Sequence, residues 1–391
     1  MKLMLGVAAL APTVFFLLGF LFLVWPVRKN KTLRYLILLL AVIASYKTLF
    51  FLVFGGSVMA PDLPAWLQLW YGILQNTYFF MLGLAVTLGP ILLIGRRVAK
   101  ARILSTGAFM SIIAVLGAVL GVTAGLNAVA APKVDTYRLT APKFAQMPEG
   151  YRIVQLSDLH MGINITPQMI KQIVQMTNAQ KPDLVVITGD LVDGMPEKLR
   201  SDVSLLADLK AKDGVYIING NHEYYASASA WEEVWGDYGL NLLNNKNVIL
   251  KRDGVPFLAV AGLADKQAIK VGSEAPNLAK ALKGIPSDLP IVLLEHRPEN
   301  FKTNASKVDL MLSGHTHGGM VWGLDYLVAF LNGGYVSGLY HEGTSSLIVS
   351  RGTYLWGGFL ARLGTTGEIG VITFSQPKNS KDQESNLGEE R

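Results

Sequence analysis

The chain changes character at Pro132. Before it, apolar positions run almost without interruption in four blocks, residues 4–25, 35–54, 71–93 and 104–126. Each has the roughly 20-residue length that a helix needs to cross a hydrocarbon core. Beyond Pro132, short apolar runs alternate with amphipathic segments, the rhythm of a layered α/β fold. Strands are predicted at 153–156, 183–188, 215–218, 257–260, 290–294, 308–312, 346–350 and 369–374. Thr166 caps a helix that starts at Pro167 and buries Ile170, Ile173 and Val174, and a second helix is predicted through 199–209. The pattern divides the chain into a four-helix transmembrane anchor (1–132), a linker and domain entry (133–150), an α/β domain (151–374) and a polar tail (375–391) expected to be disordered.

Charge follows the same division. Residues 1–132 hold ten cations against one acid, Asp62; with +6 for the whole chain, the remainder carries −3. The basic balance thus belongs to the membrane part, and a basic groove for nucleic acid is excluded as a reading. Two short loops are cationic, one with Arg28, Lys29, Lys31 and Arg34, the other with Arg96, Arg97, Lys100 and Arg102; the loop between them has Asp62, Trp66 and Trp70 and no cation. The positive-inside rule places both basic loops in the cytoplasm, and the α/β domain is then expected outside the plasma or inner membrane. Lys47 is the one charge inside a block: it snorkels to the outer interface or marks an ion or headgroup site. Gly117, Gly121 and Gly125 recur every fourth residue and let another helix approach closely, with packing in the chain's own bundle expected ahead of dimerisation. Ala128-Val129-Ala130 reads as a small-residue membrane exit. There is no cysteine, so disulfides and thiolate metal sites are excluded.

Five of the six histidines fall in short motifs of the α/β segment. They are Asp158-Leu159-His160, Gly189-Asp190-Leu191-Val192-Asp193-Gly194, Gly220-Asn221-His222-Glu223, Glu295-His296-Arg297-Pro298 and Gly314-His315-Thr316-His317-Gly318-Gly319. Each motif begins where an apolar strand ends, the position at which α/β layers form ligand crevices. A buried strand also fixes a ligand better than a free loop. Mixed carboxylate, amide and imidazole donors suit Mn²⁺, Fe, Zn²⁺ or Ni²⁺ better than Ca²⁺ or Mg²⁺. The sixth histidine, His341, lies outside any motif and reads as structural.

This order of motifs resembles the calcineurin-like metallophosphoesterases, over roughly residues 152–374. It is most similar to a membrane-anchored branch with Asp-Leu-His, Leu-Leu-x-His-x-Pro and Gly-His-Thr-His-Gly-Gly signatures, a branch like the UDP-2,3-diacylglucosamine hydrolases. The resemblance implies a two-sheet β-sandwich flanked by helices and a centre of two divalent metals. One metal would take Asp158, His160, Asp190 and His317, and the second Asp190, Asn221, His296 and His315, with Asp190 bridging. His222 would protonate the leaving oxygen and Asp193 would orient it. Two departures stand out. No arginine follows Asp193, unlike in the phosphoprotein phosphatases, and Met320 replaces a glutamine common in this branch.

Residues 321–331, from Val321 through Trp322 to Leu331, are too apolar for an ordinary surface loop. They form either a membrane-facing lip that admits acyl chains, with Trp322 in contact with substrate, or a helix packed into the core. Arg297 and Arg351 are candidate phosphate contacts. The expected function is hydrolysis of a phosphodiester or pyrophosphate, on a lipid or lipid-linked substrate at the membrane surface. The alternatives are a phosphomonoesterase and a non-catalytic receptor or assembly protein that keeps the metal fold. Expected partners are membrane lipids and a phosphorylated lipid or small molecule.

Overall fold

The computed structural model describes residues 12–98, 105–140, 142–162, 164–355 and 359–375. The start of the first apolar block, Lys100 and Arg102, and nearly all of the polar tail lie outside the described residues. The membrane part holds α1 (Pro12–Val27), α2 (Lys31–Ser45), α3 (Lys47–Gly55), α4 (Ala65–Val98) and α5 (Thr106–Ala128). Among the described residues, α4 and α5 are each long and apolar enough to cross a membrane. The block at 35–54 is not one straight helix: α2 and α3 meet at a 57° bend. The break falls at Ser45-Tyr46-Lys47, and Lys47 is only 6% exposed, with Nζ 5.5 Å from the centre of the Phe51 ring. It therefore does not snorkel along a continuous span; it is buried where the helix breaks.

The glycines of α5 pack against α4, as their spacing predicts. A Cβ on Gly121 would lie 2.3 Å from Thr77 Oγ1 and 2.5 Å from Thr77 N, so only glycine permits this approach. At about 1.5 Å per residue, the 34-residue α4 spans roughly 50 Å, longer than a ~30 Å hydrocarbon core.

The remainder is a sandwich of two six-stranded sheets. The first has the order β1-β12-β2-β3-β4-β5: β1 (Lys133–Leu139), β2 (Arg152–Leu156), β3 (Leu184–Ile187), β4 (Val215–Ile217), β5 (Leu240–Leu242) and β12 (Glu368–Phe374). The second has the order β10-β11-β9-β8-β7-β6: β6 (Lys246–Arg252), β7 (Val255–Gly262), β8 (Ile291–Leu294), β9 (Leu310–Ser313), β10 (Gly338–Glu342) and β11 (Ser345–Val349). Alternation sorts the side chains: Ile153, Leu184 and Val186 meet Val292, Leu294 and Leu312 between the sheets. Val154, Leu156, Val185 and Ile187 face the other way, onto α6 (Pro167–Ala179) and α9 (Ala228–Trp235). Strands buried on both faces read as unbroken apolar runs. The smaller helices are α7 (Pro196–Val203), α8 (Asn221–Ala226), α10 (Gln267–Lys270), α11 (Leu278–Ala281), α12 (Phe301–Asn304) and α13 (Leu324–Leu331).

One expected boundary moves. Residues 133–139, expected as linker, form β1, which runs parallel to β12 from Lys133 opposite Glu368 to Leu139 opposite Phe374. Its exposed Lys133 and Arg138 disguise it, as charges do on edge strands.

Candidate metal centre

β2, β3 and β4 of one sheet and β8 and β9 of the other end at the same edge of the sandwich, and the five motifs occupy the turns that follow. The backbone there is unusual. Asp158, His160, Asp190, His315 and His317 all have positive φ, between 45° and 70°. Asp and His tolerate this region better than most residues, yet it still costs energy and clusters at functional sites. Glycine neighbours make the approach possible. A Cβ on Gly314 would lie 1.9 Å from Ser157 Oγ and 2.2 Å from Asp158 Oδ2, and one on Gly220 would lie 2.2 Å from Asp190 Oδ1.

Two donor groups result. In the first, His160 Nε2 lies 3.1 Å from His317 Nε2, and His317 Nε2 lies 3.4 Å from Asp158 Oδ1. In the second, His296 Nε2 lies 3.1 Å from Asp190 Oδ2 and 3.3 Å from Asn221 Oδ1, with His315 completing the group. The same Asp190 Oδ2 lies 3.7 Å from His160 Nε2, so one carboxylate oxygen adjoins both groups. Two imidazole nitrogens facing each other among buried carboxylates form a donor set that fits cations, since each then offers a lone pair beside buried negative charge. His296 Nδ1 donates to the Thr188 carbonyl at 2.8 Å, which turns Nε2 toward the centre.

Electrostatics favour the same reading. Burial, helped by His296 and Arg297, holds His315 well below its ordinary pKa, and burial with His160 does the same for His317. Both are thus neutral, the state in which imidazole ligates. Burial opposes protonation of His296, but Asp190 outweighs it and raises the pKa to about 10. That proton is one a divalent cation would displace. Burial works to raise Asp190, yet His296 and His222 hold it well below the usual carboxylate range.

Beside the donors, Asp193 Oδ1 accepts from His222 Nδ1 at 2.6 Å and from His160 Nδ1 at 2.9 Å. One carboxylate therefore orients both an expected ligand histidine and the expected acid, and His222 keeps Nε2 for another partner. The neighbouring His160 and His222 overcome burial and depress the Asp193 pKa. For His222 itself, Asp190 and Asp193 overcome burial and lift it to about 9.

Comparison with known proteins identifies the family. Residues 151–319 match the family model of the calcineurin-like phosphoesterases. A zebrafish (Danio rerio) transmembrane protein with metallophosphoesterase domain is 31% identical over 356 residues, which cover 87% of this chain and 79% of that protein. The chain belongs to the calcineurin-like metallophosphoesterases. The similarly named protein of Bos taurus is 34% identical over 64% of this chain and 59% of its own length. An uncharacterized metallophosphoesterase of Campylobacter jejuni is 33% identical over 64% of this chain and 66% of its own. Among solved structures, a sulfate thiohydrolase of Thermus thermophilus in complex with glycerol is similar at 15% identity and a TM-score of 0.35, over 61% of this chain and 60% of that one.

As a metallophosphoesterase, the chain brings all seven expected ligands together with His222 and Asp193. Arg297 joins them: Asp265 anchors its Nε at 2.7 Å, while Nη2 reaches Asn221 Oδ1 at 3.0 Å and Nη1 reaches His315 Nε2 at 2.9 Å. Arg351 does not. Asp135, Glu368 and the Thr366 carbonyl take up its guanidinium, so its hydrogen bonds secure β1 and β12 rather than the centre. Trp322 stands just before α13, 81% exposed.

Two residues to which the motifs gave no role support the centre. The buried Glu223 carboxylate accepts from Leu191, Val192, Asp190 and Gly220 N–H at 2.6, 3.1, 3.0 and 2.6 Å. It ties the Asp190 turn to the Asn221 turn. Its place three residues after Gly220, at the start of a helix, was the available signal. Arg362, 1% exposed, donates to the carbonyls of Arg351, Gly352, Tyr354 and, at 3.4 Å, His317. Its own backbone N–H donates to Ala124 in α5 at 2.9 Å, which links the His317 turn to α5. No sequence pattern marked it.

Proposed function

We propose that this metallophosphoesterase hydrolyses a phosphodiester or pyrophosphate bond of a lipid or lipid-linked substrate, at the extracytoplasmic face of the membrane. The observation that carries the lipid reading is α13. It begins a few residues after ligand His317 and has no buried residue; Phe330 is 81% exposed, and Tyr326 and Leu331 are exposed beside it. A core-packed helix would hide these groups. Its near end joins the membrane helices, since Leu324 and Val321 cluster with Ala124 of α5 and Phe80 of α4. An apolar helix held at that level is suited to the bilayer interface, where it would admit acyl chains beside the centre.

The orientation rests on charge. The N-terminal half of α4 lies at the α/β domain, where Gln68 Oε1 accepts from Asn164 N at 3.3 Å and Asn76 Nδ2 donates to the Leu360 carbonyl at 2.5 Å, and Arg96 and Arg97 lie at its far end. Cytoplasmic basic loops therefore put the catalytic domain outside.

The metals, when bound, supply positive charge for the phosphoryl oxygens and activate the attacking water. The chain's own residues do the rest. Asp158, His160, Asp190, Asn221, His296, His315 and His317 set the donor geometry. Arg297 presents a fixed guanidinium to a phosphoryl oxygen. His222, held through Nδ1 by Asp193, gives the Nε2 proton to the leaving oxygen, the help that a poor alkoxide leaving group requires.

The test uses detergent-solubilised protein with Mn²⁺ on bis(p-nitrophenyl) phosphate and on long-chain phospholipids, beside Asp190→Asn. The double variant Trp322→Ser, Phe330→Ser is expected to lose activity on long chains and keep it on the soluble ester. Equal loss on both would reject the lip, and equal rates for Asp190→Asn and the parent would reject catalysis.

A further inference from the structure

The membrane part does more than anchor. We infer that the turn between α3 and α4 is one wall of the pocket that receives the leaving group, and that this group is a headgroup-sized alcohol or phosphate with an apolar flank and an anionic end. The inference rests on the phosphoesterase reading of the centre, with His222 as the acid.

A cavity of about 340 Å³ opens beside His222 and Asp193. Met59 and Ala60 of the α3–α4 turn line it on one side, and Met195, Lys198 and Tyr225 of the α/β domain on the other. With His222 Nδ1 committed to Asp193, the ring's remaining nitrogen is the one available to a group in this cavity. A leaving oxygen protonated by that nitrogen belongs to a leaving group that projects into this space.

The wall is built rather than loosely laid. Ser57 Oγ accepts from Met59 N at 3.3 Å and Ala60 N at 3.1 Å, which folds the turn onto itself. The buried Gln68 amide donates to the carbonyls of Pro61 and Leu63 at 3.3 and 2.6 Å, while its oxygen accepts from Asn164 N in the α/β domain at 3.3 Å. One side chain thus pins the turn to the catalytic domain. Glycines allow the contact: a Cβ on Gly194 would lie 3.1 Å from that of Ala60, and one on Gly162 would lie 3.3 Å from the Met59 carbonyl.

Size and chemistry select the ligand. The volume is at the lower end of ordinary small-molecule sites, roughly 300–1,000 Å³, and too small for a pair of acyl chains. Met59, Ala60 and Met195 offer apolar contact, and Lys198 is the cation that lines the space. The apolar helix α13 follows the His317 turn whereas the cavity opens at His222, so the lipid chains and the leaving headgroup take separate exits from the phosphorus. Hydrolysis then breaks the P–O bond on the headgroup side. The water oxygen stays on the lipid phosphate, and the headgroup oxygen departs with the proton from His222.

The test uses the full-length protein in detergent with Mn²⁺ and two diesters of matched size, ethyl 4-nitrophenyl phosphate and ethyl 4-carboxyphenyl phosphate. Inorganic phosphate, as a competitive inhibitor, reports on the phosphoryl position alone. Ala60→Phe fills the cavity and is expected to lower kcat/KM on both esters by about tenfold or more, with Ki for phosphate unchanged. Lys198→Gln is expected to lower kcat/KM on the carboxyphenyl ester about three- to tenfold relative to the nitrophenyl ester. Unchanged turnover in Ala60→Phe would overturn the wall. An equal effect of Lys198→Gln on both esters would overturn the anionic end. If Ala60→Phe also lost phosphate inhibition, the wall would be structural and the inference wrong. Failure of the underlying hydrolase reading shows separately, as parent activity no higher than that of Asp190→Asn.

Discussion

Glu223→Gln is the sharpest single perturbation of the centre, because it changes one atom and replaces no expected metal ligand. The carboxylate receives four backbone N–H groups: Oε1 serves Leu191 and Val192, and Oε2 serves Asp190 and Gly220. An amide keeps one acceptor oxygen and turns its NH₂ toward the other pair. Two buried N–H groups then face a donor, at about 1–3 kcal/mol each, for a total of about 2–6 kcal/mol. That is a large part of the ~5–15 kcal/mol by which a domain is ordinarily stable. The strain is relieved most readily if the two turns separate, which carries Asp190 away from Asn221. Groups that support metal ligands typically change metal affinity about 10–100-fold when removed. The expected outcome for Glu223→Gln is Mn²⁺ affinity weaker by that factor in calorimetric titration, with a lower unfolding temperature of the metal-free protein. The exposed Glu197→Gln serves as the control. Affinity within about twofold of the parent, together with unchanged unfolding, would refute the argument that this carboxylate holds the turns together.

Two further outcomes follow from the site and the membrane part. His222 acts while protonated, and its pKa is raised from 6.5 to about 9, so kcat/KM should fall as pH rises through its folded value. Bound cations offset the Asp190 charge and pull that value down, so the alkaline limb is expected below about 9, and His222→Asn should remove it; a limb that persists in the variant would assign it elsewhere. Because the chain has no cysteine, Ser201→Cys on the exposed face of α7 gives a single reporter of sidedness. It should react with a membrane-impermeant maleimide from outside intact cells, and labelling only after the cytoplasmic face is opened would reverse the topology.

The four strands that were not legible in the sequence are β1, β5, β6 and β10, and they are the four edges of the two sheets. The eight interior strands were legible. An interior strand is buried on both faces and must be apolar along its length, so composition reveals it. An edge strand has one solvated side, and charges protect it from pairing with other chains, so Lys133-Val134-Asp135 looks like linker. The bend at Tyr46 was hidden for a related reason. Hydropathy counts apolar residues but does not register where a helix axis turns.

The sequence by itself brought out the candidate donors of the centre, because metal ligation demands particular side chains and those stand at the ends of strands that hydrophobicity makes visible. Asp158, His160, Asp190, Asn221, His296, His315 and His317, which the fold brings together, were all legible as candidate donors for that reason, as were His222 and Asp193 beside them. The tertiary structure decided what each charged group does when several could compete. Arg297 and Arg351 look alike in sequence, yet Asp265 aims the first into the centre while Asp135 and Glu368 hold the second on the sheet. Glu223 and Arg362 act through backbone groups, which carry no residue identity, so their partners emerge only once distant turns are brought together. The same holds for the α3–α4 turn: its place beside His222 depends on α4 and α5 docking against the α/β domain, through contacts between residues up to 284 positions apart.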